Sequence, residues 1–420
     1  MLWLYNIGIQ LYGLAVRLFS VFNTKASFFI KGRKDIFQNI KKTIDPADRP
    51  VWFHFASLGE FEQGRPVFEK LLQKFPDKKI VITFFSPSGY EIRKHYAQAA
   101  GIFYLPLDSA SNAKKLIAAF NPEIAIFTKY EYWYHYFKEL NRKHIPLFII
   151  SGIFRPDQIF FKWYGSFNRK ILSFVNHFFV QNEESVQLLK TIGIDRASLS
   201  GDTRFDRVAE NATAAKKIAL IADFCGNAPV FIGGSTWPED ERLIYGLTKL
   251  HPDWKFILAP HEIDQSHIKA IQTQFPDALT YSKLKDEAQV DSSAHQTLII
   301  DNIGMLSALY AYGRIAYIGG GFGVGIHNTL EAAAFGIPVI FGPKYDKFQE
   351  AKDLVALGAA QSIENQTSIN NAFETFRKNQ ESAGFIAKKY VADKKGATDQ
   401  IISYIMPYLA SSLPCQQGPQ

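Results

Sequence analysis

Three short stretches of this 420-residue chain set reactive groups at the ends of short apolar runs. The first is Ser57-Leu58-Gly59-Glu60, which follows the run 51–56 and leads into a helix-like stretch reaching Leu72. A carboxylate at such a strand-to-helix switch is stabilised by the amides of the helix N-terminus, which is expected to keep Glu60 ionised and able to take a proton. The same spacing also fits a capping box, with Ser57 as N-cap and Glu60 three positions later. The second stretch, Thr128-Lys129-Tyr130-Glu131-Tyr132-Trp133, reads either as another strand-end acid or as a solvated acid beside packing aromatics.

The third is Gly319-Gly320-Gly321-Phe322-Gly323-Val324-Gly325, followed by Ile326-His327-Asn328-Thr329-Leu330-Glu331 at the start of an Ala-rich helix. Glycines let backbone approach a phosphate, and a helix N-terminus adds free amides, so this stretch reads as an anion cradle. Glu331 could take hydrogen bonds from a ribose. A tight structural turn is the other reading of the glycines. The spacing is not GxGxxG and no Walker lysine follows, which argues against NAD or ATP. Gly201-Asp202-Thr203-Arg204-Phe205-Asp206 and Gly233-Gly234-Ser235-Thr236 also end strand-like segments. Arg204 could hold a phosphate or carboxylate, or form a structural ion pair. Neither a DxD acid pair nor HExxH occurs, so no metal is expected.

The elements that must position these residues alternate. Strand-like runs at 51–56, 79–85, 102–107, 123–128, 145–150 and 177–180 are separated by helical stretches. After a break around 211–228 the pattern restarts at 230–233, 255–259, 298–300, 314–318 and 338–341. This alternation predicts an α/β chain of two doubly wound lobes, with ligands at the carboxyl ends of the strands and in a cleft that the lobes face. The boundaries expected are 1–30 for an N-terminal helix, 31–210 and 211–410 for the lobes, and 411–420 for a tail.

Apolar residues make up 47% of the chain and charged residues 21%, so both lobes can bury a core. The net charge of +7 suits anionic lipid or phosphorylated substrates as well as nucleic acid, and nothing resembles an RNA- or zinc-binding motif. Two cysteines, Cys225 and Cys415, encode no disulfide framework.

The segment 2–22 is apolar except for Asn6, Gln10, Gly13, Arg17 and Ser20, which step by four, three, four and three and make one stripe on a helix. That pattern fits a helix lying at a membrane surface or docked on protein better than a lone span. Lys25, Lys31, Arg33, Lys34, Lys41 and Lys42 follow it and favour the cytoplasmic face of a bilayer. An ordinary buried first helix is the plainer reading.

Taken together, these segments resemble the Kdo transferases. The family's Ser-Val-Gly-Glu appears as Ser57-Leu58-Gly59-Glu60, its Thr-Pro-(Thr/Ser)-Gly as Ser86-Pro87-Ser88-Gly89, and its Tyr-Leu-Pro-x-Asp as Tyr104-Leu105-Pro106-Leu107-Asp108. Glu131-Tyr132-Trp133, Gln181 to Glu184, Gly201 to Asp206 and His327 to Glu331 continue the match in order, as far as Gly342-Pro343. Three positions depart: Pro260-His261-Glu262 stands where the family has Pro-Arg-His, Gly304-Met305-Leu306 where it has Gly-Glu-Leu, and Arg204 where it has Lys.

The resemblance implies a GT-B glycosyltransferase that moves Kdo from CMP-Kdo to the lipid A precursor lipid IVA, with inversion and without metal. Glu60 would be the general base and Glu131 a second acid. Ser57, Gly59, Ser86, Ser88 and Arg204 would meet the acceptor. Ser235, Thr236, His261, Gly323, Gly325, His327, Asn328 and Glu331 would meet the donor, with His261 standing in for the missing arginine. The expected place is the cytoplasmic face of the bacterial inner membrane, among anionic lipids and with no nucleic-acid partner. A GT-B enzyme using a UDP-sugar, transferase or epimerase, and a non-catalytic lipid-binding tether are the alternatives.

Overall fold

The computed structural model describes residues 1–286, 291 and 294–410, so the expected tail at 411–420, with Cys415, lies outside the described residues. The chain forms two compact units, Met1–Asp206 together with the segment from Gly396 onward, and Arg207–Lys395.

The first unit is built on seven strands: β1 (Val51–Phe55), β2 (Ile80–Phe84), β3 (Gly101–Tyr104), β4 (Ala125–Thr128), β5 (Leu147–Gly152), β6 (His177–Val180) and β7 (Ala197–Leu199). They pair in parallel in the order β3-β2-β1-β4-β5-β6-β7. The central strands are buried on both faces, and their β-branched and aromatic residues feed two apolar clusters, one on each side of the sheet. The helix Leu58–Lys74 lies close enough to β1 that a Cβ on Gly64 would stand 2.2 Å from the Phe55 ring. Any side chain at Gly64 would force the Phe55 ring or this helix to move.

The second unit repeats the architecture with β8 (Val230–Thr236), β9 (Lys255–Pro260), β10 (Leu279–Thr280), β11 (Thr297–Ile299), β12 (Ile315–Ile318), β13 (Val339–Phe341) and β14 (Ala360–Ser362). Their order is β10-β11-β9-β8-β12-β13-β14, again all parallel. Both units are therefore Rossmann-like, as the alternation predicts. The three strands absent from the sequence reading, β7, β10 and β14, are short and lie at sheet edges, where no run of apolar residues is needed.

One expected boundary is corrected. The helix Ala397–Ala410, expected in the second lobe, packs on the first unit: Ile401, Ile402, Ile405 and Leu409 join the cluster beneath β1, β2 and β5. Asp206 anchors its start by accepting from the Gly396 and Thr398 backbone amides at 2.5 and 2.7 Å. The burial of a hydrophobic stripe decided the assignment, and nothing in the local composition signals which sheet receives it.

The N-terminal helix Leu2–Phe19 docks on the first unit through Tyr5 and two members of the stripe the sequence marks out, Asn6 and Gly13. The Asn6 side-chain oxygen lies 2.7 Å from His135 Nε2, the Tyr5 hydroxyl donates to Asp108 at 2.5 Å, and a Cβ on Gly13 would come 2.6 Å from Leu107. Trp3, Leu4, Leu11, Leu14, Leu18 and Phe19 are left exposed on the outside. The inward side is mixed, with Leu2, Tyr5, Asn6, Ile9, Gly13 and Val16 half-buried, whereas Gln10 and Arg17 of the stripe are exposed. Among the described residues no helix is long and apolar enough to cross a membrane.

Candidate active site

In both sheets the strand order reverses beside the first strand of the unit, between β1 and β4 and between β8 and β12. Connections leave in opposite directions there and open a crevice at the carboxyl ends of the two strands. Glu60 follows β1 and Glu131 follows β4, so the two acids share the switch point of the first unit. Ser235 lies at the end of β8, Trp237 follows it and the glycine loop follows β12, so the second candidate site occupies the matching point of the other unit. Lys129 and Ser235, one at each site, hold left-handed backbone at φ 57 and φ 52, a conformation that ordinary side chains adopt at a cost of about 1–3 kcal/mol.

Glu60 sits in the first turn of its helix, half-buried, and its Oε2 accepts the Ala56 amide at 2.5 Å. The capping box does not form: Ser57 makes no side-chain cap, and Glu60 reaches one residue further back than the box requires. The expectation that the helix N-terminus keeps Glu60 ionised is also corrected. Burial outweighs the Ala56 hydrogen bond, and the charge of Glu131 adds to it while Lys129 opposes it, so the carboxyl is pushed up to about 7. A carboxylate with that affinity for protons is a better base near neutrality than an ordinary glutamate.

Glu131 is not the solvated acid of the plainer reading. Its Oε2 accepts Trp133 Nε1–H at 2.9 Å and faces His54 Nε2 at 3.1 Å, while Oε1 has no hydrogen bond among the described residues. Ser57, Gly59, Ser86 and Ser88 gather at the same strand ends, where the Ser86 amide donates to the Ala56 carbonyl at 2.9 Å and the Ser86 and Ser88 hydroxyls lie 2.8 Å apart. Arg204 takes the structural alternative: its Nε donates to Asp202 at 2.8 Å, and the same carboxylate accepts Gln63.

In the second unit Trp237, His261 and His327 form one stack, with ring centroids 4.9 Å apart for the first pair and 4.3 Å for the second. Trp237 Nε1–H donates to His327 Nε2 at 3.3 Å, which puts the imidazole proton on Nδ1. Burial, helped by His261, pushes His327 down to about 4, so the ring is neutral at pH 7. Asp240 organises the loop from behind. It accepts the Gly320 amide at 3.0 Å, the Trp237 amide at 2.9 Å and the Tyr317 hydroxyl at 2.7 Å. A Cβ on Gly319 would stand 2.1 Å from the Ser235 carbonyl, so glycine there allows β8 and β12 to end side by side.

Thr236 is corrected as a donor contact: it is fully buried and its hydroxyl donates to Glu241 at 3.0 Å. Asn328 and Glu331 meet each other, Asn328 Nδ2 donating to Glu331 Oε1 at 3.1 Å. Gly323 is exposed and Gly325 buried in the turn in which Lys344 Nζ donates to the Phe322 and Gly323 carbonyls. The Ala-rich helix is only the five residues Leu330–Ala334, so its dipole adds less positive potential than the sequence suggests. Sequence reasoning missed His54, Trp237 and Asp240. His54 does leave a trace, as the one titratable residue inside the apolar run of β1.

Residues 31–207 match the family model described as 3-deoxy-D-manno-octulosonic-acid transferase (Kdo transferase). The 3-deoxy-D-manno-octulosonic acid transferase of Chlamydophila psittaci is 26% identical over 393 residues, which cover 89% of this chain and 88% of that protein. The enzyme of the same name from Aquifex aeolicus is 27% identical over 346 residues, 78% of this chain and 86% of that protein. Residues 31–207 thus carry the Kdo transferase family's domain, and relatives of that name align along most of the chain. Members of that family are glycosyltransferases, and this transferase presents the matched Ser57–Glu60 and Glu131–Trp133 motifs at one switch point. A UDP-GlcNAc 2-epimerase structure from Neisseria meningitidis has a TM-score of 0.58 at 18% identity, covering 86% of this chain and all of the other, and shares the GT-B-type fold of two Rossmann-like units.

Proposed function

We propose that this enzyme transfers Kdo from CMP-Kdo to a hydroxyl of lipid IVA in lipopolysaccharide biosynthesis, with inversion and without a metal. The observation that carries the reading is the pair of acids at the first switch point, one of them held near pKa 7. Glu60 takes the proton of the acceptor hydroxyl as its oxygen attacks the anomeric carbon of Kdo. Glu131, through Oε1, accepts from a neighbouring hydroxyl of the acceptor sugar and so orients the ring that carries the nucleophile. The bond from Kdo to the CMP phosphate breaks, and the leaving phosphate is received at the turn 323–328, with His261 and the Nδ1–H of His327 as donors. Asn328 and Glu331 offer a hydrogen-bonded pair for the ribose.

The expected experiment is incubation with CMP-Kdo and tetra-acylated lipid A precursor, reading product mass and CMP release. Wild type should form a Kdo-glycolipid. Stabilisation by UDP and not by CMP in thermal unfolding would overturn the donor assignment. The acid limb of kcat/KM should lie near pH 7. Because the charge of Glu131 raises the Glu60 carboxyl, Glu131→Gln should move that limb to lower pH as well as reduce kcat; a limb that stays in place would remove Glu60 as its source.

The outward apolar face of the N-terminal helix supports attachment to an anionic bilayer surface, on the cytoplasmic side if the lipid precursor is met there. Beside the helix a half-open groove of about 760 Å³ is flanked by Leu14 and Ile30 and carries Arg17, Lys31 and Lys34. Apolar walls with cationic groups suit phosphorylated, acylated lipid. The double variant Leu11→Asp/Leu18→Asp is expected to lower sedimentation with vesicles of phosphatidylglycerol and phosphatidylethanolamine at least tenfold. Turnover of a detergent-dispersed acceptor should stay within about threefold.

A further inference from the structure

Behind Glu131 runs a row of polar side chains that the reaction above does not use. Trp52 and His54 are alternate residues of β1 and share one face of the sheet, and Thr83 on β2 is in register with His54. All three are fully buried. Polar groups at that depth are retained only with partners, and here each partner constrains the next.

Trp52 Nε1–H can only donate, and it does so to Thr83 Oγ1 at 2.8 Å. The Thr83 hydroxyl has one hydrogen of its own and two acceptors in reach, His54 Nδ1 at 2.8 Å and the Phe53 carbonyl at 3.5 Å. The shorter contact takes it. His54 Nδ1 is then an acceptor, the ring proton sits on Nε2, and Nε2–H donates to Glu131 Oε2 at 3.1 Å. The competing imidazolium would make Thr83 accept two N–H donors and turn its hydrogen to the distant carbonyl, a poorer arrangement on both counts.

We propose that Thr83 and His54 are positioning residues of the transfer reaction: the relay Trp52→Thr83→His54 fixes a neutral Nε2–H imidazole that pins Oε2 of Glu131 and leaves Oε1 to accept from a second hydroxyl of the acceptor sugar, next to the one that Glu60 deprotonates. A neutral imidazole also leaves the full charge of Glu131 acting on Glu60. The other titratable groups facing these acids are Lys129, Tyr5, Tyr12, Tyr130 and Tyr132, with Arg33 facing Tyr12. None of them lies within hydrogen-bond distance of His54 in the contacts described above, so the tautomer is decided by the relay.

The activity arm rests on the proposed Kdo transfer, and the spectroscopic arm does not. Long-range 1H–15N spectra of the full chain, with His54 assigned by its loss in His54→Gln, should show the Nε2–H tautomer at pH 7. Thr83→Val should mix the tautomers and lower kcat 10- to 100-fold with the donor KM unchanged, and Thr83→Ser should restore both. An Nδ1–H or charged His54 in the wild type at pH 7 overturns the proposal, as does a folded Thr83→Val enzyme with kcat within threefold of wild type. If the wild type turns over no CMP-Kdo, the proposed function fails, and the spectra still decide the relay.

Discussion

Glu60→Gln is expected to lower transfer by about 10²–10⁴-fold, the usual contribution of a general base, while raising the melting temperature above pH 7. The two effects have one cause. An ordinary glutamate ionises at 4.5, and burial pushes this one to about 7. Below 4.5 both folded and unfolded chains carry the neutral carboxyl and the group costs nothing. As pH rises toward 7 the unfolded chain ionises first, so the folded state loses relative stability, and the loss is complete above 7.

At roughly 1.4 kcal/mol per pH unit the cost is about 2–3 kcal/mol for a half-buried group, and glutamine removes it. The amide oxygen can still accept the Ala56 N–H, so the local hydrogen bond survives. A gain of a few degrees at pH 8, shrinking to nothing at pH 4, is the expected signature, checked by calorimetry with kcat measured on the same samples. A variant that is inactive but no more stable at pH 8 would mean that burial of the charge is not what tunes Glu60.

Asp240→Asn is expected to have the largest effect in the second unit, without altering a residue that faces the donor. The carboxylate receives three donors, from Gly320, Trp237 and Tyr317. An asparagine offers one acceptor oxygen and two donors of its own, so at least one buried N–H or O–H is left facing an N–H. Leaving such groups unpaired costs about 1–3 kcal/mol each. Unfolding of the second unit should shift by a few kcal/mol. CMP affinity should fall at least tenfold, because the Gly320 turn and the Trp237 ring that stacks on His261 lose their common anchor. Calorimetric titration with CMP checks this. Unchanged CMP affinity in a destabilised variant would separate loop order from donor binding.

Much of the frame was legible before any coordinates. Alternating short apolar runs and helices require parallel sheets covered on both faces, and all eleven runs fall on strands of the two Rossmann-like units. The candidate residues at strand ends were legible for the same reason, since a doubly wound sheet puts them at one edge. The stripe at Asn6, Gln10, Gly13 and Arg17 was legible as a stripe, because a helix has a fixed period. Which way it faces was not, as the partners Asp108, His135 and Leu107 lie about a hundred residues away.

What tertiary structure alone decided is the protonation chemistry around Glu60 and Glu131. Sequence placed one acid after β1 and another after β4, and it marked the family whose motifs they match. It predicted an ionised Glu60, because local spacing reports the helix N-terminus and carries no information about desolvation. Burial and the neighbouring charge of Glu131 come from packing, and they set Glu60 near 7. The line from Trp52 through Thr83 to His54 likewise depends on which strands are neighbours. Hydrogen bonds between side chains act over about 3 Å, and the residues that make them here are brought together only when the sheet has formed.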